Sequence, residues 1–194
     1  MRVLVIGYGN PLRSDDALGW RVAEALRSRF EHQFSHTQAR VGAGSADVEV
    51  ISCQQLNPEL ADPISRADLV LFVDAADPAA NTMATGSGSR VGVQPDPVPA
   101  LLRAIPGSIL EHDLEPTCQS PQCFSHDLTP STLLACAGEL FGSCPKGKLL
   151  SVVGDNFGMG EVLSPTVEAA LAELLRRIEV LIDDAFSTSQ PQIR

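Results

Sequence analysis

The 194-residue sequence predicts an α/β fold: a three-layer α-β-α sandwich around a mostly parallel or mixed, five-stranded twisted sheet. Three observations predict it. Short runs rich in Val, Leu and Ile alternate with longer stretches of helical periodicity. Those runs are nearly continuously apolar, as in strands covered by helices on both faces. A capping residue followed by proline introduces three of the helical stretches, because the first helical N–H has no partner to lose.

The elements follow in order. "RVLVIG" (2–7) is the first strand, and residues 15–30 then place Leu18, Val22, Ala25 and Leu26 on one helical face. "DVEVISC" (47–53) is the second strand, Asn57-Pro58 starts a helix, and "ADLVLFVDA" (67–75) is the third strand. "RVGVQ" (90–94) reads as the fourth. Residues 78–90, rich in Gly, Ser, Thr and Ala, read as a mobile loop. Residues 105–125 read as irregular, since Pro106, Pro116 and Pro121 break any helix. Thr129-Pro130 starts the next helix and Gly142 stops it. "KLLSVVG" (148–154) is the fifth strand. Ser164-Pro165 opens a last helix over 166–186, with Val167, Leu171, Leu174, Leu175, Ile178, Leu181 and Ile182 on one face. A single domain over 1–186 with a flexible tail at 187–194 is the expected organisation.

Composition removes several function classes. The chain is 44% hydrophobic and 20% charged, the balance of an ordinary globular protein. A net charge of −10 argues against a nucleic-acid partner and against anionic membrane surfaces, both of which need clustered Lys and Arg. No apolar run is long enough to span a bilayer, and no signal pattern opens the chain, so a cytoplasmic, monomeric protein is expected. The five cysteines form an odd set without a C-x-x-C pair and are expected to be reduced thiols. Cys118 and Cys123 alone would leave a structural zinc site two ligands short.

Ligands of open α/β sheets bind beyond the carboxyl ends of the strands, so polar residues there carry the most weight. Asp15 and Asp16 follow the first strand, Asp74 and Asp77 end the third, and His126 precedes the helix at Thr129. Two carboxylates and a neutral imidazole suit a borderline divalent cation such as zinc or nickel. The plainer readings are an acid complementing a helix dipole, an Asp in a turn and a solvated His; convergence on one sheet edge is what favours a site. One acid of the pair can face the cation while its neighbour caps the helix.

Other chemistries find no support. Gly7-Tyr8-Gly9 has Leu12 where a dinucleotide fingerprint has its third glycine. No Walker A, G-x-S-x-G or H-E-x-x-H pattern occurs. His32, His36 and His112 read as surface residues.

"GYGNPLRSDDALG" (7–19) resembles the amino-terminal signature of the hydrogenase maturation endopeptidases, roughly G-x-G-N-x-x-x-x-D-[DE]-x-x-G. The resemblance continues in order at "VDA" (73–75), "SHDLTP" (125–130) and "LSPTVEAAL" (163–171). "QQLNPELA" (54–61), "CFSHDLTP" and "GEVLSP" resemble the branch serving bidirectional, NAD-linked nickel–iron hydrogenases. Ala17 stands where glycine is common, and Gln54 where that branch often has His.

The resemblance implies an endopeptidase that removes a carboxy-terminal peptide from the precursor of the hydrogenase large subunit after nickel insertion. It places metal contact and catalysis on Asp16, Asp74 and His126. Nickel would come with the precursor, and other divalent cations could occupy the site in isolation. Substrate recognition falls to Asn10, Arg13, Asp15, Gln54, Gln55 and Leu56, and Arg13 could hold a substrate carboxylate. No Ser–His–Asp or Cys–His arrangement competes, although Cys123 lies three residues before His126. The alternatives are a non-enzymatic α/β module that binds a protein tail or small anion, and an unrelated metal-dependent hydrolase.

Overall fold

The computed structural model describes residues 1–35, 47–77, 105–117 and 128–188, with side chains at 31–35 excepted. The described residues form five strands, β1 (Arg2–Tyr8), β2 (Asp47–Cys53), β3 (Leu69–Ala76), β4 (Ile109–Leu114) and β5 (Lys146–Val153). The helices are α1 (Leu18–Ser35), α2 (Ala61–Ser65), α3 (Pro130–Phe141) and α4 (Pro165–Thr188), and short 3-10 turns at Ser14–Ala17 and Pro58–Leu60 lead into α1 and α2. The sheet order is β2-β1-β3-β5-β4, parallel except for β4, which runs antiparallel to β5. The expected mostly parallel five-stranded α/β fold is the one observed.

Strand parity explains the unbroken apolar runs. Val3, Val5, Leu71, Val73, Leu150 and Val152 face one layer, packed on Leu18, Val22 and Leu26 of α1 and on Val167, Leu174 and Ile178 of α4. Leu4, Ile6, Val70 and Phe72 face the other, against Ile64 of α2 and Leu133 and Leu134 of α3. With both faces buried, residues 3–7 of β1 and 69–73 of β3 carry no polar side chain, and Tyr8 and Asp74 come first after them. Each large side chain so buried contributes about 1.5–3 kcal/mol.

Four expectations are corrected here. The stretch at 105–125 is not all irregular, because residues 109–114 form β4 on the sheet edge. Its "EHD" core hides the strand pattern. Glu111 and Asp113 reach Lys148 of β5 at 3.0 and 2.8 Å, the charge decoration that an edge tolerates. His112 is accordingly half-buried in that strand rather than a surface residue, and its Nε2 is buried. Asn57-Pro58 starts a 3-10 turn and only then the five-residue α2, and the Asn57 side chain makes no cap hydrogen bond. The other two signals act as caps: Thr129 accepts from Thr132 N–H at 3.2 Å, and Ser164 from Val167 N–H at 3.4 Å. α3 stops at Gly142 in the left-handed region, φ 72°. α4 runs through Thr188, two residues into the segment expected to be a tail. The expected loop at 78–90 and strand at 90–94 lie outside the described residues, as do Cys118, Cys123, His36 and His126.

β1 and α1 approach so closely that neither can carry a side chain where they touch. A Cβ on Gly7 would stand 2.0 Å from the Gly19 carbonyl oxygen. The obstacle is backbone and cannot swing aside. Gly7→Ala is therefore expected to destabilise by about 3 kcal/mol or more, the upper range for overpacking. That corresponds to a melting temperature lower by roughly 6–12 °C in a chain of this size. An unchanged thermal transition would mean that α1 can ride away from the sheet.

Candidate active-site cleft

The chain leaves β1 toward β2 on one side of the sheet and returns with β3 on the other. The strand order thus reverses between β1 and β3, where the carboxyl ends of neighbouring parallel strands leave a crevice. A cleft of about 380 Å³ opens there. It is lined by Tyr8, Gly9, Asn10, Arg13 and Asp16 after β1, Gln54, Gln55 and Leu56 after β2, Asp74 on β3, and Leu128 and Thr129 at the start of α3.

Asp74 reaches the cleft through strand parity. Gly7 pairs with Val73, so Tyr8 and Asp74, one residue further on, share the face turned toward α3. Asp74 Oδ1 accepts the Ala75 N–H at 2.8 Å, and the Tyr8 side chain hydrogen-bonds the same carboxyl. Burial pushes Asp74 from the ordinary 3.8 up to about 7, and the Asp16 charge adds to the rise against those two hydrogen bonds.

Asp16 is placed by a tightly knit turn. The Asn10 N–H donates to Asp16 Oδ2 at 3.1 Å, and the Asp16 N–H to the Arg13 carbonyl at 3.1 Å. Gly9, at φ 130°, brings the chain within reach; a Cβ there would lie 2.0 Å from the Asp16 carbonyl oxygen. Asn10 Oδ1 accepts the Leu12 N–H at 3.0 Å, closing an Asx turn. The Trp20 indole N–H donates to the carbonyls of Gly9 and Cys53 at 2.9 and 3.1 Å, pinning the ends of β1 and β2 together. Ser14 takes a left-handed φ of 47°, rare for a residue with a side chain. Its hydroxyl donates to the Val162 carbonyl at 2.7 Å and its N–H to that of Gly160 at 2.8 Å, which holds the kink.

The adjacent acids part company completely. Asp15, expected among the recognition residues, does not line the cleft and is 0% exposed. Its Oδ2 accepts from the Asp155 and Asn156 N–H groups, both at 2.8 Å, and from the Ser164 hydroxyl at 2.9 Å. Its Oδ1 accepts the Ser164 N–H at 2.6 Å. Burial alone would raise its pKa, but these bonds overcome that and hold it below the ordinary value. Asp15 is a structural clamp between the turn after β1 and the loop 155–164.

The sequence matches no protein-family model and no curated protein. The structure resembles the hydrogenase maturating endopeptidase HybD from E. coli, with a TM-score of 0.60 at 21% identity, covering 95% of this chain and 94% of that one. It also resembles the [NiFe] hydrogenase maturation protease HycI from Thermococcus kodakarensis KOD1, with a TM-score of 0.58 at 20% identity over 94% and 92% of the two chains. HybD from Thermococcus kodakarensis gives 0.60 at 15% identity over 94% and 99%. The chain has the hydrogenase maturation protease fold.

Of the residues singled out from the sequence, Asp16, Asp74, Asn10, Arg13, Gln54, Gln55 and Leu56 all meet in the cleft. His126 lies outside the described residues, two positions before Leu128 on the cleft wall. Among the described residues, no group of three His, Cys, Asp or Glu side chains is arranged to hold a metal ion. No described helix is long and apolar enough to cross a membrane. Tyr8, Gly9, Leu128 and Thr129 line the cleft without having been expected there. Tyr8 could have been found by parity, sharing a face with Leu4 and Ile6, whereas the Thr129-Pro130 signal spoke only of a cap.

Proposed function

We propose that this chain is a hydrogenase maturation endopeptidase. It removes the carboxy-terminal peptide of a nickel–iron hydrogenase large-subunit precursor once nickel has been inserted. The observation that carries this reading is the meeting of Asp16 and Asp74 in one cleft at the β1/β3 reversal, in a chain whose fold is that of proteases named for this task. The assignment to the bidirectional, NAD-linked branch rests on the sequence resemblance at 54–61, where Gln55 and Leu56 keep that branch's pattern and Gln54 departs from it.

The donor set suits the cation. Two carboxylates face the same space, and burial, with the Asp16 charge added, makes Asp74 costly to ionise, so an arriving positive charge would offset that cost. His126 would complete an oxygen, oxygen, nitrogen set suited to nickel. The nickel is part of the substrate, carried by the precursor's cysteines; it would polarise the scissile carbonyl or activate water. The chain's own groups position the acids: Tyr8 and the Ala75 N–H orient Asp74, and the Asn10 N–H orients Asp16. Arg13 lines the cleft, and its Nε and Nη2 donate to the Phe157 carbonyl at 3.2 and 3.1 Å, tying the turn after β1 to the 155–164 loop.

Mixing the purified protein with nickel-loaded and nickel-free precursor and weighing the products tests this. Loss of a carboxy-terminal peptide from the loaded form alone is the expected result. Equal cutting of both would remove nickel as the recognition signal, and no cutting of either would remove the protease reading.

A further inference from the structure

Leu12, Met159 and Val162 are 50%, 84% and 76% exposed, and they stand on two loops zipped side by side. The Gly160 N–H donates to the Leu12 carbonyl at 2.9 Å, and the Ser14 N–H returns a bond to Gly160 at 2.8 Å. The Ser14 hydroxyl holds Val162 through its carbonyl at 2.7 Å. These are not side chains on a slack loop tip. Asp15 anchors the start and the end of the 155–164 loop, and Asn156 Oδ1 takes the Gly158 N–H at 2.9 Å. The backbone is thus stiffened while the apolar side chains it carries are left in water. Exposed apolar side chains carried on adjoining, braced loops mark an interaction surface, and rigidity lowers the entropy cost of docking on it.

We propose that this patch docks the folded body of the large-subunit precursor whose tail enters the cleft. This rests on the maturation-protease reading. Two arguments choose the occupant. First, the patch continues the cleft: Arg13 lines the cleft, sits next to Leu12, and binds the Phe157 carbonyl at the head of the Met159 loop. A cleft of about 380 Å³ accommodates only a short piece of peptide. Specific recognition of a folded protein takes roughly 600 Å² or more on each partner, so the contact must spread onto the flanking surface. Second, the precursor supplies the tail and a covering surface in one molecule, so docking on the patch raises the effective concentration of its tail at the cleft.

The test is the double variant Met159→Glu/Val162→Glu, assayed for processing across a range of precursor concentrations beside wild type and Val180→Glu. Val180 is 44% exposed on α4, away from both loops, and serves as the surface control. The double variant should raise KM about tenfold or more with kcat within about twofold and an unchanged melting temperature. Val180→Glu should change neither. An unchanged KM in the double variant, with wild type processing normally, overturns the docking surface and leaves the protease reading intact. A loss confined to kcat also overturns it, since the patch would then act by shaping the cleft. Self-association of wild type that the double variant abolishes would show a second copy as the occupant and overturn it as well. Failure of wild type to process removes the maturation reading, and docking falls with it.

Discussion

Asp74→Asn is expected to make the substrate-free protein more stable above pH 7 while abolishing precursor processing. The unfolded side chain ionises near its ordinary value of 3.8, whereas the folded one does so at about 7. Between roughly pH 4 and 7 the unfolded chain gives up a proton that the folded chain keeps, so stability falls as pH rises through this window. The penalty is complete above pH 7 and absent below pH 4. Its upper bound is on the order of 4 kcal/mol. Asparagine keeps a carbonyl oxygen for the Ala75 N–H and the Tyr8 hydroxyl but cannot ionise. Urea melts at pH 4, 6 and 8 should show the variant gaining on wild type with each step. A variant no more stable than wild type at pH 8 would mean that Asp74 ionises without strain. Residues that lower stability in the service of activity are a familiar trade.

Asp15→Asn is expected to act in the opposite sense, destabilising by about 2–5 kcal/mol. The carboxylate is fully buried and accepts four donors, three of them backbone N–H groups. An amide offers one accepting oxygen. Whichever way it turns, its NH2 faces a donor, and each orphaned buried group costs about 1–3 kcal/mol. The pH dependence is also opposite to that of Asp74. The folded Asp15 pKa lies below the unfolded value, so its contribution is present above about pH 4 and disappears as pH falls through the folded pKa. The variant should therefore lose part of the acid-unfolding limb. Equal stability at neutral pH would show that the four donors find water as readily as the carboxylate.

The adjacent acids Asp15 and Asp16 mark the limit of what the sequence discloses. That acids cluster where β1 and β3 end was legible, because parallel strands buried on both faces exclude charge until they stop. Which acid of the pair faces the cleft was settled by the 3-10 turn at Ser14–Ala17, which a helical pattern from residue 15 does not anticipate. The recognition role expected for Asp15 passed to a clamp on a loop about 140 residues away in sequence, a partnership with no local trace. β4 escaped for a related reason. An edge strand with one face in solvent alternates with charge, and the prolines at 106 and 116 bound it rather than interrupt it. The helix caps at Thr129 and Ser164 were legible because a cap is a local contract between a side chain and the N–H three residues on. At Asn57 the same signal met a tighter turn, and the side-chain bond did not form.

The measurement that bears most directly on the cleft is the mass of nickel-loaded large-subunit precursor after incubation with wild type, Asp16→Ala and Asp74→Asn, each checked for a native thermal transition. The proposed site predicts loss of the carboxy-terminal peptide with wild type and an intact precursor with both variants, a rate difference of about a thousandfold or more. Complete processing by either folded variant would contradict it and move the chemistry out of this cleft.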